Sequence, residues 1–378
     1  MDEYYMQQAL TIAQYAKGRT SPNPLVGAVI VNAGRIVGQG WHRQAGTPHA
    51  EIHALAQAGE LAKDATIYVT LEPCSHHGRT GPCADALIQA GVKKAVVALT
   101  DPNPLVAGNG INRLRAAGIE VVEGVLAPEA AKLNEVFIKW IVTGMPWGVL
   151  KTAISLDGKI AAYTGHSKWI TGLAAREHVH RLRDTYDGIL VGIGTVLADN
   201  PELTTRLPEG GQNPVRIIVD SMARTPLSAK IVTDGQAQTI IATSREAPAD
   251  RIAALSSRGI EVLTLEQTPT GINLRQLFKI LGERRITSIL IEGGATINAS
   301  VLTANLIDKV HCFIAPKIIG GINAPSPVGG MGIPAVDQAI MLEDITSESI
   351  GTDILITGYI AGREGHDVYR TCGRTRQS

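Results

Sequence analysis

Pro48-His49-Ala50-Glu51, Glu72-Pro73-Cys74 and Pro82-Cys83 make a split signature that only a folded chain can close. Zinc takes thiolate sulfur and imidazole nitrogen as ligands, and a catalytic zinc keeps its fourth position for water. His49, Cys74 and Cys83 offer three such ligands and leave that position open. The fold must bring them together. A strand over residues 66–71 delivers Cys74 at its carboxyl end, and Pro82-Cys83 opens a helix that runs to Ala90. A cysteine at a helix N-terminus has a lowered pKa, which favours the thiolate. A second helix starts near Pro48. Within a regular helix His49 and Glu51 would point about 200° apart. Both reach one water only if His49 sits at the helix entrance, where the backbone is not yet helical.

Glu51 is then spare, and a carboxylate beside an activated water is the general base that hydrolysis needs. H-x-E followed by P-C-x-x-C marks the zinc nucleobase deaminases. Here the cysteine pair is stretched, with the eight residues from Ser75 to Pro82 between its members. Two other readings stand beside this one: a structural zinc closed by a fourth ligand from His53, His76 or His77, or three unrelated buried residues. His53 reads as an ordinary helix-face histidine.

At 378 residues the chain is long enough for two domains with separate cores. Its 35 basic residues balance 35 acidic ones, so it carries no electrostatic footprint for nucleic acid. Four cysteines, two of them on the metal, suit a reducing compartment. Met1-Asp2-Glu3-Tyr4-Tyr5 begins no signal-peptide pattern, and no stretch has the apolar length of a membrane span. A soluble, cytoplasmic protein is expected.

In chain order, Asp2 caps a helix whose apolar period, Met6, Ala9, Leu10, Ala13 and Ala16, stops at Gly18. Strands over 25–31 and 36–41 flank the turn Asn32-Ala33-Gly34. After the cysteine loop come strand 95–99 with helix 110–117, then strand 119–123 with a single helix over 128–142. This predicts a five-stranded sheet covered on both faces, with its ligand site at the carboxyl ends of the strands. Gly144-Met145-Pro146 marks the boundary between residues 1–145 and a second α/β domain over 146–360. There we expect strands at 148–155, 188–191, 215–219, 239–242, 260–265, 288–291, 310–315 and 353–359, and a helix at 174–186. Gly192-x-Gly194 lacks the third glycine of the dinucleotide fingerprint, so a Rossmann reading fails. The turn Gly293-Gly294-Ala295-Thr296 lets backbone N–H groups approach a phosphate, or is a plain turn. Arg183 and Arg206 are candidate phosphate or substrate clamps, while Arg176 and Arg181 form a solvated helix face. Cys312 is expected to be buried, Cys372 an exposed thiol, and the tail 361–378 lies outside the fold.

Two sets of motifs carry a resemblance over residues 1 to about 360. The first is Pro22-Asn23-Pro24-x-Val26-Gly27, His49-Ala50-Glu51, Glu72-Pro73-Cys74-Ser75-His76-His77-Gly78-Arg79-Thr80, Pro82-Cys83 and Asp101-Pro102-Asn103-Pro104. The second is Lys151-x-Ala153-x-Ser155-Leu156-Asp157-Gly158, Ser167-x-Trp169-Ile170-Thr171, Thr195-x-x-x-Asp199-Asn200-Pro201-x-Leu203-Thr204-x-Arg206 and Glu292-Gly293-Gly294. In this order they closely resemble the bacterial riboflavin-biosynthesis bifunctional deaminase/reductase family, which shows the same long cysteine spacing. The resemblance implies a three-layer α/β/α cytidine-deaminase-like domain and a dihydrofolate-reductase-like α/β domain. It implies hydrolytic deamination of 2,5-diamino-6-(5-phosphoribosylamino)pyrimidin-4-one, then NADPH-dependent reduction to 5-amino-6-(5-phosphoribitylamino)uracil. It implies one zinc per chain on His49, Cys74 and Cys83, with Glu51 shuttling protons.

Further site residues follow from the same resemblance. Asn23, His76, Arg79, Asp101 and Asn103 match substrate positions of the deaminase, although turn chemistry also explains Asp101 and Asn103. Ala153, Trp169, Thr195, Asp199, Ser221 and the turn from Gly294 through Ala295 and Thr296 to Ser300 match cofactor positions. Ser167, Arg183, Leu203, Arg206 and Glu292 match substrate positions of the reductase, and Leu203 reads equally as core. The partner is a small phosphorylated nucleotide-like substrate, not nucleic acid or membrane, and a homo-oligomer, dimer or tetramer, is expected. Two rivals remain: a polynucleotide-editing deaminase, disfavoured by the zero net charge, and a non-enzymatic nucleotide-binding protein, which has no use for a spare Glu51.

Overall fold

The computed structural model describes residues 1–75, 81–103, 106–269 and 271–362. They form two compact units, one from Met1 to Gly144 and one beginning at Met145.

The first unit opens with α1 (Asp2–Ala13), then strands β1 (Gly27–Asn32) and β2 (Arg35–Trp41). Asp2 does not cap α1: it lies inside the helix, and its carboxylate accepts from the Tyr68 hydroxyl at 2.8 Å and from Lys94 Nζ at 3.4 Å. The hairpin turns at Ala33 and Gly34, both at positive φ, and pairs Gly27 with Trp41 through Asn32 with Arg35. Next come α2 (Ala50–Ala58), β3 (Thr66–Val69), α3 (Cys83–Gln89), β4 (Lys94–Val97), α4 (Asn109–Ala116), β5 (Glu120–Glu123), α5 (Ala127–Leu133) and α6 (Glu135–Thr143). The expected single last helix is two. It breaks at Asn134, whose side chain receives Leu25 N at 2.8 Å and donates to Leu25 O at 2.9 Å.

The strand order is β2-β1-β3-β4-β5, with β3, β4 and β5 parallel. Alternation along β1 sends Ala28 and Ile30 into one apolar cluster and Val29 and Val31 into the other. Small residues set how closely α2 lies on the sheet. A Cβ at Gly38 would fall 2.2 Å from Ala54 O, and one at Gly40 would fall 2.5 Å from Ala50 O. The start of α2, which carries His49 and Glu51, is therefore seated by backbone contact.

The second unit runs β6 (Trp147–Ser155), α7 (Leu173–Thr185), β7 (Gly188–Gly192), α8 (Ile193–Asp199), β8 (Val215–Val219), α9 (Lys230–Thr233), β9 (Thr239–Ser244), α10 (Ala249–Ser256) and β10 (Glu261–Leu265). A small hairpin, β11 (Gln267–Thr268) and β12 (Gly271–Ile272), leads to α11 (Leu274–Glu283). Then follow β13 (Ser288–Ile291), α12 (Ala295–Thr303), β14 (Lys309–Ala315), β15 (Leu342–Ile350) and β16 (Asp353–Ile360). The nine-stranded order is β10-β9-β8-β7-β13-β6-β14-β16-β15, parallel from β10 to β14 and antiparallel at β16 and β15. Buried apolar runs fill both faces: Leu190, Ile217 and Ile240 on one, and Ile189, Ile218 and Ile241 on the other.

Several expectations need correction. The edge strand β15 was not anticipated, because LEDITSESI is polar and mostly exposed, as edge strands are. The helices α8, α9, α10 and α11 are also additional to the expected elements, and Leu274, Leu277, Phe278 and Leu281 carry the period of α11. Cys312 is half-buried in β14 rather than fully covered. Cys372 and nearly all of the 361–378 tail lie outside the described residues.

Candidate active sites

In the first unit, β3 runs into Glu72, Pro73 and Cys74. Glu72 is buried, and its two carboxylate oxygens accept four backbone N–H groups: Asp101 at 3.0 Å, Gly108 at 2.9 Å, Gly110 at 2.8 Å and Ile111 at 3.2 Å. A Cβ at Gly110 would stand 1.9 Å from Pro73 O, so the start of α4 is pressed onto the strand end. Cys83 is the first residue of α3, and its N–H donates to the Cys74 sulfur at 3.3 Å. His49 is the N-cap of α2, with extended backbone (φ −74°, ψ 166°). That conformation frees its ring from the helix direction, as the spacing to Glu51 requires.

His49 Nδ1 lies 3.5 Å from Cys74 Sγ and 3.3 Å from Cys83 Sγ, and the three ligand atoms are all within 4.8 Å of one another. A tetrahedral zinc with bonds of about 2.3 Å to sulfur and about 2.0 Å to nitrogen sets N···S edges of roughly 3.5 Å. The donor set therefore fits the ion. Among the described residues no fourth side chain joins the group, and His53 is not part of it. His76 and Arg79, with the alternative ligand His77, lie outside the described residues.

The two thiols titrate as a pair. Cys83 and His49, donating to it, hold the Cys74 sulfur well below the usual thiol range, and Cys83 is pushed up by the same contact and by burial. Glu51, 3% exposed, is pushed up to about 7 by burial, against the pull of the His49 charge. His42 stands edge-on to His49, with ring centroids 5.4 Å apart. Its Nδ1 faces Pro48 O at 3.3 Å and its Nε2 faces Asn23 Nδ2 at 3.1 Å, which places Asn23 beside the site. Asp101 Oδ1 accepts from Asn103 N at 2.9 Å, the Asx turn that the sequence also allowed.

In the second unit a cavity of about 1000 Å³ crosses the carboxyl ends of β6, β13, β7 and β8. Ala153, Thr195, Asp199, Ser221, Gly294, Ala295, Thr296, Ser167 and Glu292 line it. Its size is at the top of the usual range for ligand pockets. The glycine turn before α12 leaves its backbone open, since a Cβ at Gly294 would meet nothing nearer than 4.0 Å. The lining fits a phosphate-bearing dinucleotide.

Four expected residues do not line this cavity. Leu203 is 3% exposed in an apolar cluster with Ile193 and Val196, so its side chain is core. Arg183 is no open clamp. Its Nε and Nη2 donate to Glu292 at 2.7 and 3.1 Å, and its Nη1 donates to Thr204 O at 3.1 Å. Arg206 is half exposed and holds Glu202 and Thr204 Oγ1, each at 3.0 Å. Trp169 is exposed and stacks under the Arg176 guanidinium at 4.2 Å, so Arg176 is not merely solvated. Arg181 does lie in solvent, paired with Glu177 and Glu209.

Glu72, His42 and Lys151 also belong to the two sites, and no residue spacing marks them. Lys151 lines the cavity and reaches Glu292 Oε2 at 3.4 Å. The two cations outweigh the burial that would push the Glu292 carboxyl up, and hold it at about 2. Lys151 and Glu72 both stood in the motifs. Their roles depend on partners remote in sequence.

Residues 1–99 match the family of the cytidine and deoxycytidylate deaminase zinc-binding region, and residues 146–356 match the RibD C-terminal domain. A riboflavin biosynthesis protein RibD from Bacillus amyloliquefaciens is 46% identical over 371 residues, covering 98% of this chain and 100% of that one. The Escherichia coli protein of the same name is 45% identical over 334 residues, 84% of this chain and 89% of that one. Among solved structures, Acinetobacter baumannii RibD superposes with a TM-score of 0.86 at 41% identity, covering 95% of this chain and 99% of the other. A Thermotoga maritima diaminohydroxyphosphoribosylaminopyrimidine deaminase/5-amino-6-(5-phosphoribosylamino)uracil reductase gives 0.84 at 38% identity, covering 96% and 99%.

Proposed function

The chain belongs to the RibD family and is a bifunctional deaminase and reductase of riboflavin biosynthesis, and we propose that its two reactions divide between the two units. Residues 1–145 deaminate the diaminopyrimidinone nucleotide, and residues 146–360 reduce the ribosyl side chain of the product with NADPH. The observation that carries this reading is the convergence of His49 Nδ1 and the Cys74 and Cys83 sulfurs beside the buried Glu51 carboxyl.

His49, Cys74 and Cys83 hold zinc, which when bound acidifies a water and acts as a Lewis acid. Glu51 takes a proton from the attacking water at a carboxylate oxygen. It hands that proton to the ring nitrogen, then takes the second proton from the newly added hydroxyl and hands it to the departing amine, so that the water oxygen stays as the ring carbonyl and the amino group leaves as ammonia. The Glu51 carboxyl is buried beside His49 and Cys83, within reach of the position that a metal-bound water would take. Glu72 keeps Cys74 and the loop carrying Asp101 and Asn103 in register, and Asn23, Asp101 and Asn103 contact the substrate together with His76 and Arg79.

In the second unit the turn from Gly294 to Thr296 would receive the pyrophosphate, with Ala153, Thr195, Asp199 and Ser221 contributing to cofactor binding from the cavity wall, while Trp169 lies outside that wall. NADPH, when bound there, would supply the hydride. Ser167 and Glu292 would face the ribosyl phosphate chain from the cavity wall, Arg183 holds Glu292 in place, and Arg206 lies outside the wall, paired with Glu202. Among the described residues no helix is long and apolar enough to cross a membrane, and a cytoplasmic location is part of this proposal. So is a homo-oligomer, dimer or tetramer. Exposed Ile322, Met331 and Val336, at 97%, 105% and 90%, together with the edge strand β15, support it.

The test is a two-readout assay. Ammonia release from the diaminopyrimidinone nucleotide should vanish on chelation of zinc and return with the metal. NADPH oxidation with supplied deaminated intermediate should persist throughout. Loss of both activities on chelation would overturn the division.

A further inference from the structure

We infer that Arg224 reads the 2′-phosphate of the cofactor and so selects NADPH over NADH. This rests on the reductase assignment above and deepens it. The cavity in the second unit is elongated across the sheet. At one end β6 presents Lys151 and Ala153, and β13 presents Glu292. The Gly293-Gly294 turn and the start of α12 follow, then Thr195 and Asp199 after β7, and last Ser221 and Arg224 after β8. Strands are spaced about 4.8 Å apart, so β6 and β8 are separated by roughly 14 Å.

A dinucleotide laid along this line has one chemically sensible direction. Its hydride-donating ring must meet the substrate at the Lys151–Glu292 end. Its pyrophosphate then falls at the glycine turn and the N-terminus of α12. Its adenosine ribose falls beyond β7, against Ser221 and Arg224.

The charge arrangement agrees. Of the cations around the cavity, Lys151 is paired with Glu292, and Arg275 donates to Ala304 O at 2.9 Å. Arg224 is exposed, and among the described residues it has no hydrogen-bond or ion-pair partner. A guanidinium with a free fork at the adenosine end matches a phosphate monoester bidentately, whereas NADH would offer it only a hydroxyl. A charge-assisted contact of this kind is worth a factor of about 10 to 100 in affinity.

The test uses the full-length protein, with calorimetric titration of 2′,5′-ADP and 5′-AMP and with NADPH and NADH kinetics. Arg224→Ala should weaken 2′,5′-ADP about 10- to 100-fold and leave 5′-AMP unchanged, which also shows that the site is still folded. The KM for NADPH should rise by a similar factor while kcat holds and the NADH parameters stay put, and Arg224→Lys should recover part of the loss. Unchanged 2′,5′-ADP binding, or an equal loss for both nucleotides, would overturn the role of Arg224 alone. If the unmodified protein binds neither NADPH nor 2′,5′-ADP, the cofactor site itself has been misassigned and the inference falls with it.

Discussion

Glu72 accepts the backbone N–H of Gly110 at 2.8 Å, tying the end of β3 to the first turn of α4 immediately beside Cys74. Gly110 has no Cβ to hold α4 off Pro73, and the carboxylate also collects Asp101, Gly108 and Ile111. One side chain thus satisfies four N–H groups, some of them orphans of a helix start. Glu72→Gln keeps the shape but replaces one acceptor oxygen with a donor that faces donors. We expect a stability loss of about 1–3 kcal/mol and weaker zinc retention with Glu51 intact. Denaturant melts with metal analysis check both. A variant as stable as the parent would show that the carboxylate contributes only shape.

Zinc binding and proton transfer should separate by mutation. Cys83→Ser removes a thiolate that lies 3.3 Å from His49 Nδ1, and most of the zinc should be lost. Glu51→Gln keeps all three ligands, so zinc should remain while deamination falls by a factor of about 10² to 10⁴. Metal content and ammonia release distinguish the two. Full zinc retention in Cys83→Ser would transfer the third ligand to His76 or His77.

Much of this site could be read from residue spacing, because metal ligation dictates geometry. The placement of His49 at the entrance of α2 follows from its distance to Glu51, and Cys83 does open α3, although the sulfur held low is that of Cys74, which accepts the Cys83 N–H. The strands over 215–219 and 288–291 were equally plain as bounded apolar runs. What could not be read depended on long-range partners. The apolar period from Pro128 to Val142 runs on through Asn134, and only the bonds to Leu25 reveal the break. Arg183 looked like a free clamp because Glu292, more than a hundred residues away, does not announce itself as its partner. Leu203 at φ 55° is a core side chain on a backbone that the sequence pattern does not single out.

Acid should destabilise the second unit in two windows. His180 is held down to about 4 by burial and by the Arg183 and Arg206 charges, against an ordinary value of 6.5. It is therefore neutral when folded, while the unfolded chain takes up a proton below pH 6.5, so stability falls as pH drops from 6.5 toward 4. Glu292, held at about 2, contributes stability above its ordinary 4.5, and this is lost as pH falls from 4.5 toward 2. Denaturation midpoints across this range should decline in both windows. His180→Asn should flatten the upper decline and leave the lower one, and a profile unchanged by that substitution would clear His180.

The last prediction is that the two activities respond independently to point variants. Each unit has its own pair of apolar clusters, so each carries its own core. The zinc-ligand group lies wholly before Gly144, and every residue of the cofactor cavity lies after it. Glu51→Gln should therefore leave NADPH-dependent reduction of supplied deaminated intermediate nearly unchanged. Conversely, Asp199→Ala removes a carboxylate from the cavity wall and should cripple reduction while ammonia release continues. Loss of reduction in a folded, zinc-loaded Glu51→Gln protein would mean that the first site takes part in the second reaction, and the two-site assignment would fail.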